Sequence, residues 1–383
     1  MTITYQVVIY CPDQHIEYDL HTLDNIGVGG GITSRIRLAH ALASHGHKVT
    51  LYVNCPKDGA IQGVNYVHFS KLKNMHTDIF MAASSGGDHD LGILNGMDIQ
   101  AQIKIVMLQG VTPIQNLNYD RFDYYYVPSN FIRNFSISTW QLQPEKFFVS
   151  YRGTRDENFK SRSVIQRDPF RLVYLGHPLK GLETARVILQ KLRKREPKFN
   201  LHIYGGNQLW GGAEQEIPAE PGIFYHGLYG QKKLAREIQK ATFSLNLQDI
   251  REAFGMAVIE SMKAGCIVLA SPVGAYSETV RDGFNGFLIP GDHTLEETRE
   301  TASRMILDLE DNPGFRSYIQ NNAISTPLDW QTVARTWEEH WDSVLNNNHK
   351  QKFVYRCASC KGDLLAFSDG FHCLKCGNYQ PSL

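Results

Sequence analysis

Short apolar runs of four to seven residues, punctuated by helically spaced segments, recur along this chain in two separate sets. The first set comprises Gln6–Tyr10, residues 47–53, residues 103–108 and Tyr124–Val127; residues 32–44, between the first two, carry Ile36, Leu38 and Leu42 at helical spacing. The second set comprises residues 171–175, 201–204, 243–248 and 268–271, with residues 184–195 as a helix between the first two. Strands buried on both faces are short and almost continuously apolar, and such strands occur in parallel sheets covered by helices on both sides. The two sets break near residues 150–165, which predicts an α/β chain with two Rossmann-like halves. Trp330–Leu345 reads as a final amphipathic helix, and 346–351 as a polar linker.

A length of 383 residues suits two or three domains, and 42% hydrophobic content is enough for a sizeable core in each. Formal charge sums to zero, so nothing in the balance calls for nucleic acid or an anionic surface. No run of about eighteen apolar residues is present, so no membrane span is expected. The N-terminus lacks a basic region before its apolar stretch and reads as a first strand. Cys11, Cys55 and Cys266 stand singly, which suits a reducing compartment and a cytoplasmic location.

The second set carries the sharpest chemical signal. Glu252-Ala-Phe-Gly-Met-Ala-Val-Ile-Glu260 lies between the strand at 243–248 and the strand at 268–271. A helix opening near Gly255 and Met256 leaves backbone N–H groups free to meet an anion. Were the whole stretch helical, the two carboxylates would be separated by a rise of about 12 Å. That would place one at a sugar and one at a ribose, with a diphosphate between; carboxylates accept paired bonds from vicinal hydroxyls.

These residues resemble the signature of retaining nucleotide-sugar glycosyltransferases of the family-4 type, which have the GT-B fold. Ala264-Gly-Cys-Ile-Val-Leu-Ala-Ser-Pro-Val-Gly274 is similar to the family's A-G-x-P-V-V-x-S-x-x-G, and Glu278-Thr-Val-Arg-Asp-Gly-Phe-Asn-Gly-Phe-Leu288 to its E-x-V-x-x-G-x-x-G-x-L. The resemblance implies two Rossmann-like domains facing a cleft: an acceptor-side domain at 1–155, with helix 329–345 packing back on it, and a nucleotide-sugar domain at 156–328. It implies transfer from a UDP- or GDP-sugar to a glycan, lipid-linked or small-molecule acceptor with retention of configuration, and no catalytic metal. Glu252 would hold the sugar hydroxyls and Glu260 the ribose, with Phe254, Gly255 and Met256 along the donor.

Leu175-Gly-His-Pro-Leu-Lys-Gly181 resembles the family's G-R-x-x-x-x-K-G, whose Arg and Lys neutralise the leaving diphosphate. Lys180 fits the Lys; His177 stands where the Arg would be, and the segment is two residues shorter. Either His177 is protonated in the complex or another cation substitutes, Arg152 and Arg155 being candidates. Gly27-Val-Gly-Gly-Gly31 opens a helix, so Gly29, Gly30 and Gly31 form a candidate phosphate cradle. It is not a dinucleotide fingerprint, since Ile32 falls at the third glycine. Gln109 occupies the place of a family histidine that contacts the donor sugar.

Cys357-Ala-Ser-Cys360 and Cys373-Leu-Lys-Cys376 have the spacing of a four-thiolate zinc ribbon over residues 352–383, with strand, turn and strand between the pairs. A module this small needs a metal for stability, so structural zinc is expected there. Residues 350–383 carry a mild basic excess, five Lys/Arg against two Asp, without an interleaved aromatic platform, so the tail reads as a protein-docking module rather than a nucleic-acid binder. The basic helix end at 191–198 suits the helix dipole, and membrane contact would be at most peripheral. Two alternatives stay open: a nucleotide-sugar epimerase of the same architecture, and a non-catalytic sugar-binding adaptor docking through the ribbon.

Overall fold

The computed structural model describes residues 3–84, 90–159, 165–213 and 220–345, and the backbone of three short strands between 364 and 381. Among the described residues the chain divides into two compact units. The first is built from the segment ending at Leu23, from 29–153 and from Leu328 to the end of the last long helix; the second from 24–28 and 154–327.

Eight strands form the sheet of the first unit: β1 (Gln6–Tyr10), β2 (Lys48–Val53), β3 (Gly59–Ile61), β4 (Val64–His68), β5 (Met75–Ala83), β6 (Ile99–Met107), β7 (Tyr124–Val127) and β8 (Phe147–Val149). Their order is β3-β4-β2-β1-β5-β6-β7-β8, parallel except for the β3–β4 hairpin. The central strands are buried on both faces, as their near-continuous apolar runs require: Val7, Ile9, Leu51, Ile79, Met81, Ile103 and Ile105 are fully enclosed. The central β5 is absent from the sequence-based expectation because its first half, Met-His-Thr-Asp, is polar. Those polar groups are used at the end of the sheet: the Thr77 hydroxyl donates to the Gln6 carbonyl (2.8 Å), and Asp78 accepts from the Gln6 N–H (2.7 Å).

Helices α1 (Leu20–Asn25), α2 (Gly30–Ser44) and α3 (Asn130–Trp140) accompany this sheet. Ser129 caps α3 by accepting the Ile132 N–H at 3.2 Å.

The second unit has a six-stranded, all-parallel sheet: β9 (Asp168–Gly176), β10 (Asn200–Gly205), β11 (Ile223–Gly227), β12 (Ala241–Asn246), β13 (Ile267–Ala270) and β14 (Phe287–Leu288), in the order β11-β10-β9-β12-β13-β14. Around it lie α4 (Leu182–Arg195), α5 (Gln231–Ile238), α6 (Met256–Lys263), α7 (Tyr276–Thr279), α8 (Glu296–Asp311) and α9 (Pro313–Ile324). One face of the sheet forms a core with α4 and α8 through Leu172, Leu201, Phe243, Leu245, Ile188, Leu192 and Ile306. After β9 the chain moves outward to β10 and β11, then returns to place β12 on the other side of β9. Beside β9, at the carboxyl ends of β9 and β12, the sheet therefore has its topological switch point, where open α/β sheets bind ligands.

The last helix, α10 (Trp330–Leu345), packs on α2. Trp330, Val333, Ala334, Trp337 and Trp341 make its buried stripe. Trp341 meets Tyr5 and His47 edge-on, at 5.9 Å each. Burying two indoles of about 200 Å² each contributes at most on the order of 10 kcal/mol at about 25 cal/mol/Å². This is enough to anchor α10 to the first unit.

The tail, which is grouped with the second unit, has β15 (Leu364–Phe367), β16 (Gly370–Cys373) and β17 (Tyr379–Pro381) in an antiparallel sheet of order β15-β16-β17, with Cys373 opposite Leu364. Cys357, Cys360 and Cys376 lie outside the described residues, and of Cys373 only the backbone is described. Among the described residues no helix is long and apolar enough to cross a membrane.

Candidate functional site

The chain leaves β9 through His177-Pro-Leu-Lys-Gly181, a turn closed by the Lys180 N–H donating to the His177 carbonyl (2.9 Å) and the Leu182 N–H to that of Pro178 (3.2 Å). Gly181 adopts φ +86° as the cap of α4, and a Cβ there would lie 1.9 Å from the Leu247 carbonyl oxygen. Only glycine permits this approach of the turn after β9 to the chain leaving β12.

That second loop carries Glu252. It is not helical: α6 begins at Met256, after Gly255 at φ +90°, where a Cβ would lie 2.3 Å from the Tyr276 ring. Only Met256–Glu260 of the acidic stretch is therefore helix, and the 12 Å rise expected from an unbroken one does not apply. Gly274 (φ +57°) fixes the Glu252 backbone; its Cβ position lies 2.3 Å from the Glu252 oxygen, and the Ala275 N–H donates to that oxygen at 2.9 Å.

Folding brings Lys180 and Glu252 together. The Lys180 ammonium is ion-paired with the Glu252 carboxylate, both side chains being mostly enclosed. Gln248 Nε2 donates to the same carboxylate oxygen (3.2 Å) and to the Tyr276 hydroxyl (2.8 Å), while the Gln248 N–H is held by the Ser271 hydroxyl (2.9 Å). Below lies a buried polar pair, Ser244 and Ser261 (2.9 Å), to which Asn246 donates (3.0 Å). Gln248, Ser271 and Tyr276 stand outside the sequence-based expectation, although each lies inside or beside the quoted motif segments. Burial, followed by the Glu252 charge, pushes the Tyr276 phenol well above its ordinary range, so it stays a neutral hydrogen-bonding group.

His177 is also here, but not as a cation. Its Nδ1 accepts the Leu179 N–H at 3.2 Å, which requires that nitrogen to be unprotonated. Burial and then the Lys180 charge hold it below the ordinary imidazole value. Its ring stacks on Trp210, centroids 3.7 Å apart and planes within 12°, and the Lys180 ammonium lies 5.8 Å from the Trp210 ring centre. Trp210 was not expected from sequence. The available signal is topological: β9 and β10 are neighbouring parallel strands, so the loops leaving them are adjacent.

Phe254 turns its ring inward and is buried, while Met256 and Glu260 are half-buried on the first turns of α6. Within the first unit, Gly29 caps α2 with ordinary extended geometry, and Gly30 and Gly31 lie in its first turn. Gly27, by contrast, belongs to the second unit and needs its glycine for packing: a Cβ would lie 2.2 Å from the Tyr229 carbonyl oxygen. Gln109 is half-buried, its Nε2 without a partner among the described residues. Arg152 is 4% exposed; burial and then neighbouring Arg35 lower its pKa to about 10. Arg35, enclosed against Asp13 at 3.2 Å, is a buried ion pair invisible to periodicity. Arg155 pairs on the surface with Glu157 at 3.6 Å.

Residues 155–326 match the family model for Glycosyl transferases group 1, so the second unit carries a domain of that type. Over 238 residues the chain is 24% identical to a D-inositol 3-phosphate glycosyltransferase of Streptomyces scabiei, covering 56% of this chain and 52% of that one. The chain thus spans about half the length of the curated relatives it matches. Among solved structures, a glycosyltransferase from Rickettsia africae superposes with a TM-score of 0.66 at 14% identity, over 90% of this chain and 99% of that one. HepE of Anabaena in complex with UDP-glucose does so with a TM-score of 0.61 at 16% identity, over 88% and 100%. The α/β fold with parallel sheets is that of GT-B glycosyltransferases.

Proposed function

We propose that this protein is a retaining glycosyltransferase that moves a sugar from a nucleotide-sugar donor to a glycan, lipid-linked or small-molecule acceptor. The observation that carries the reading is the Lys180–Glu252 pair at the switch point of the second sheet, flanked by the starts of α4 and α6. The group 1 match over this unit and the UDP-glucose held by a structural neighbour support it.

Breaking an anomeric C–O bond builds negative charge on the departing diphosphate, so preorganised positive potential is the dominant requirement. The diphosphate would draw Lys180 from Glu252, and the N–H groups at the helix starts add partial charge. Released from that pair, Glu252 accepts hydrogen bonds from the sugar hydroxyls, while Glu260 accepts from the ribose. Gln248 and Tyr276 keep the Glu252 carboxylate in place through the exchange. The reading needs no catalytic metal. The C-terminal tail is proposed to bind structural zinc through Cys357, Cys360, Cys373 and Cys376 and to dock a protein partner.

Glu252→Ala tests the assignment. Transfer should be abolished while nucleoside diphosphate binding persists or tightens, because Lys180 loses its internal competitor. Turnover near the wild-type rate would remove Glu252 from the mechanism. Conversion of one nucleotide sugar into another by the wild type would mark an epimerase instead, and binding without turnover an adaptor.

A further inference from the structure

His177 is constrained from four directions. Its carbonyl accepts from the Lys180 N–H (2.9 Å) and from the Tyr174 hydroxyl (2.6 Å), its Nδ1 accepts from the Leu179 N–H (3.2 Å), and its ring lies flat on Trp210 (3.7 Å). An imidazole that accepts at Nδ1 carries its proton at Nε2. The residue is 7% exposed, yet Nε2 has no partner among the described residues. Trp210, by contrast, is 53% exposed, so the indole meets His177 on one side and solvent on the other. Lys180, 5.8 Å from the same indole, and through it Glu252, are the charged groups that face this ring pair, with the neutral Tyr174 phenol beneath.

We infer that Trp210 is a positioning residue: by stacking on His177 it holds the imidazole so that the neutral Nε2–H stands ready to donate to a diphosphate oxygen beside Lys180. This rests on the nucleotide-sugar reading above and deepens it. The site would thus grip its anion with one full cation and one neutral donor. A neutral N–H bonds an anion at a fixed point without adding charge, and it is worth most when its direction is set before the ligand arrives. The Leu179 N–H sets which ring nitrogen accepts, and the indole holds the plane in which the ring must lie for that bond to persist. Truncating Trp210 should leave the backbone bonds of the His177 turn intact and free only the ring.

The test uses the full chain and two probes. Imidazole nitrogen resonances of His177 at neutral pH should show an unprotonated Nδ1 and a protonated Nε2 in the wild type and in Trp210→Phe, and a tautomer mixture in Trp210→Ala. UDP and GDP binding by calorimetry should weaken about tenfold in Trp210→Ala and in His177→Ala for whichever nucleotide binds. Trp210→Phe and His177→Gln, which keeps a neutral N–H, should recover most of it. The pH dependence of affinity from about 6 to 8 should be the same in the wild type and in His177→Gln, because His177 contributes no charge and only the terminal phosphate of the nucleotide, with a pKa of about 6, titrates near that range. A protonated Nδ1 in the wild type overturns the inference. So does unchanged nucleotide affinity in both alanine variants, or a fall in wild-type affinity as the pH rises through the imidazole range that His177→Gln does not share. Failure of the wild type to bind either nucleotide sinks the nucleotide-sugar reading instead, and the resonances then report on the Trp210–His177 geometry alone.

Discussion

Gly274→Ala offers the most direct perturbation of the site, because it moves Glu252 without altering any side chain that would meet a ligand. The new Cβ would lie 2.3 Å from the Glu252 carbonyl oxygen and 2.7 Å from its nitrogen, and both are backbone atoms that cannot swing aside. Restoring ordinary contact requires a displacement of about 1 Å, since optimal non-bonded separations are about 3.5 Å. The φ of +57° adds a left-handed conformation that costs an alanine about 1–2 kcal/mol. Overpacking adds about 1–3 kcal/mol. The sum, about 2–5 kcal/mol, should lower Tm by roughly 5–15 °C for a unit of this size.

A shift of about 1 Å in a reacting constellation costs about 100-fold in rate. The Ala275 N–H bond that holds the Glu252 carbonyl (2.9 Å) lies on the same strained contact and would be lost with it. Gly283→Ala is the matched control: φ is +71°, but nothing lies within 4 Å of the Cβ position. It should lose only the conformational term and keep its turnover. Donor turnover at saturating nucleotide sugar, measured well below both melting temperatures, separates the two. If Gly274→Ala stays within about twofold of wild type, or both variants lose activity alike, the claim that Gly274 sets the Glu252 position is refuted.

Two further outcomes follow from particular groups. The Tyr126 hydroxyl accepts from Trp341 Nε1–H (3.1 Å) and shares a hydrogen bond with His340 Nδ1 (2.6 Å), and burial lowers the pKa of His340 to about 4. Between about pH 6.5 and about pH 4 the unfolded chain binds this proton and the folded chain does not, so stability present above pH 6.5 is lost as the pH falls, by at most about 3 kcal/mol; urea midpoints across that window should show the slope, and His340→Phe should flatten it. Protein prepared without chelators should carry about one zinc per chain, lost together with the fold of the tail when chelator is added; absence of zinc in the metal analysis ends the ribbon proposal.

The legible part of this molecule is what repeats with a period or stays local in sequence. Buried parallel strands such as 171–175 announce themselves by continuous apolar runs, and α10 by the spacing of Trp330, Trp337 and Trp341. The acidic segment and the turn carrying Lys180 were readable for the same reason, each being a short local string. What escaped is non-local or compensated. The polar start of β5 is tied to Gln6, some seventy residues away. His202 and His226 showed no metal-like spacing, yet they stack across β10 and β11 with Nδ1 and Nε2 2.8 Å apart. The helix opens at Met256, where the sequence places its start, but the positive φ of Gly255 answers to a tyrosine ring twenty-one positions on. The choice of protonation state at His177 depended on an N–H two residues away and on an indole from the next strand, which no motif records.

The neutral His177 changes what the site can do. Before a ligand arrives Lys180 and Glu252 cancel, and the formal charge carried by these two groups and His177 is zero. An arginine at 177 would add a permanent positive charge, and His177 offers a neutral N–H donor in its place. A neutral donor with one fixed direction contributes in proportion to the charge that develops on the atom it touches, so it favours the stage at which the bond to the sugar is breaking. In the proposed reaction, Lys180 would leave Glu252 when a diphosphate displaces it, which would couple arrival of the anion to liberation of the carboxylate proposed to take the sugar. The exchange depends on both partners staying within reach after they separate. Gly181 secures this by holding the Lys180 turn in backbone contact with the Glu252 loop at Leu247, while Gly274, after β13, and Gln248 fix Glu252 itself.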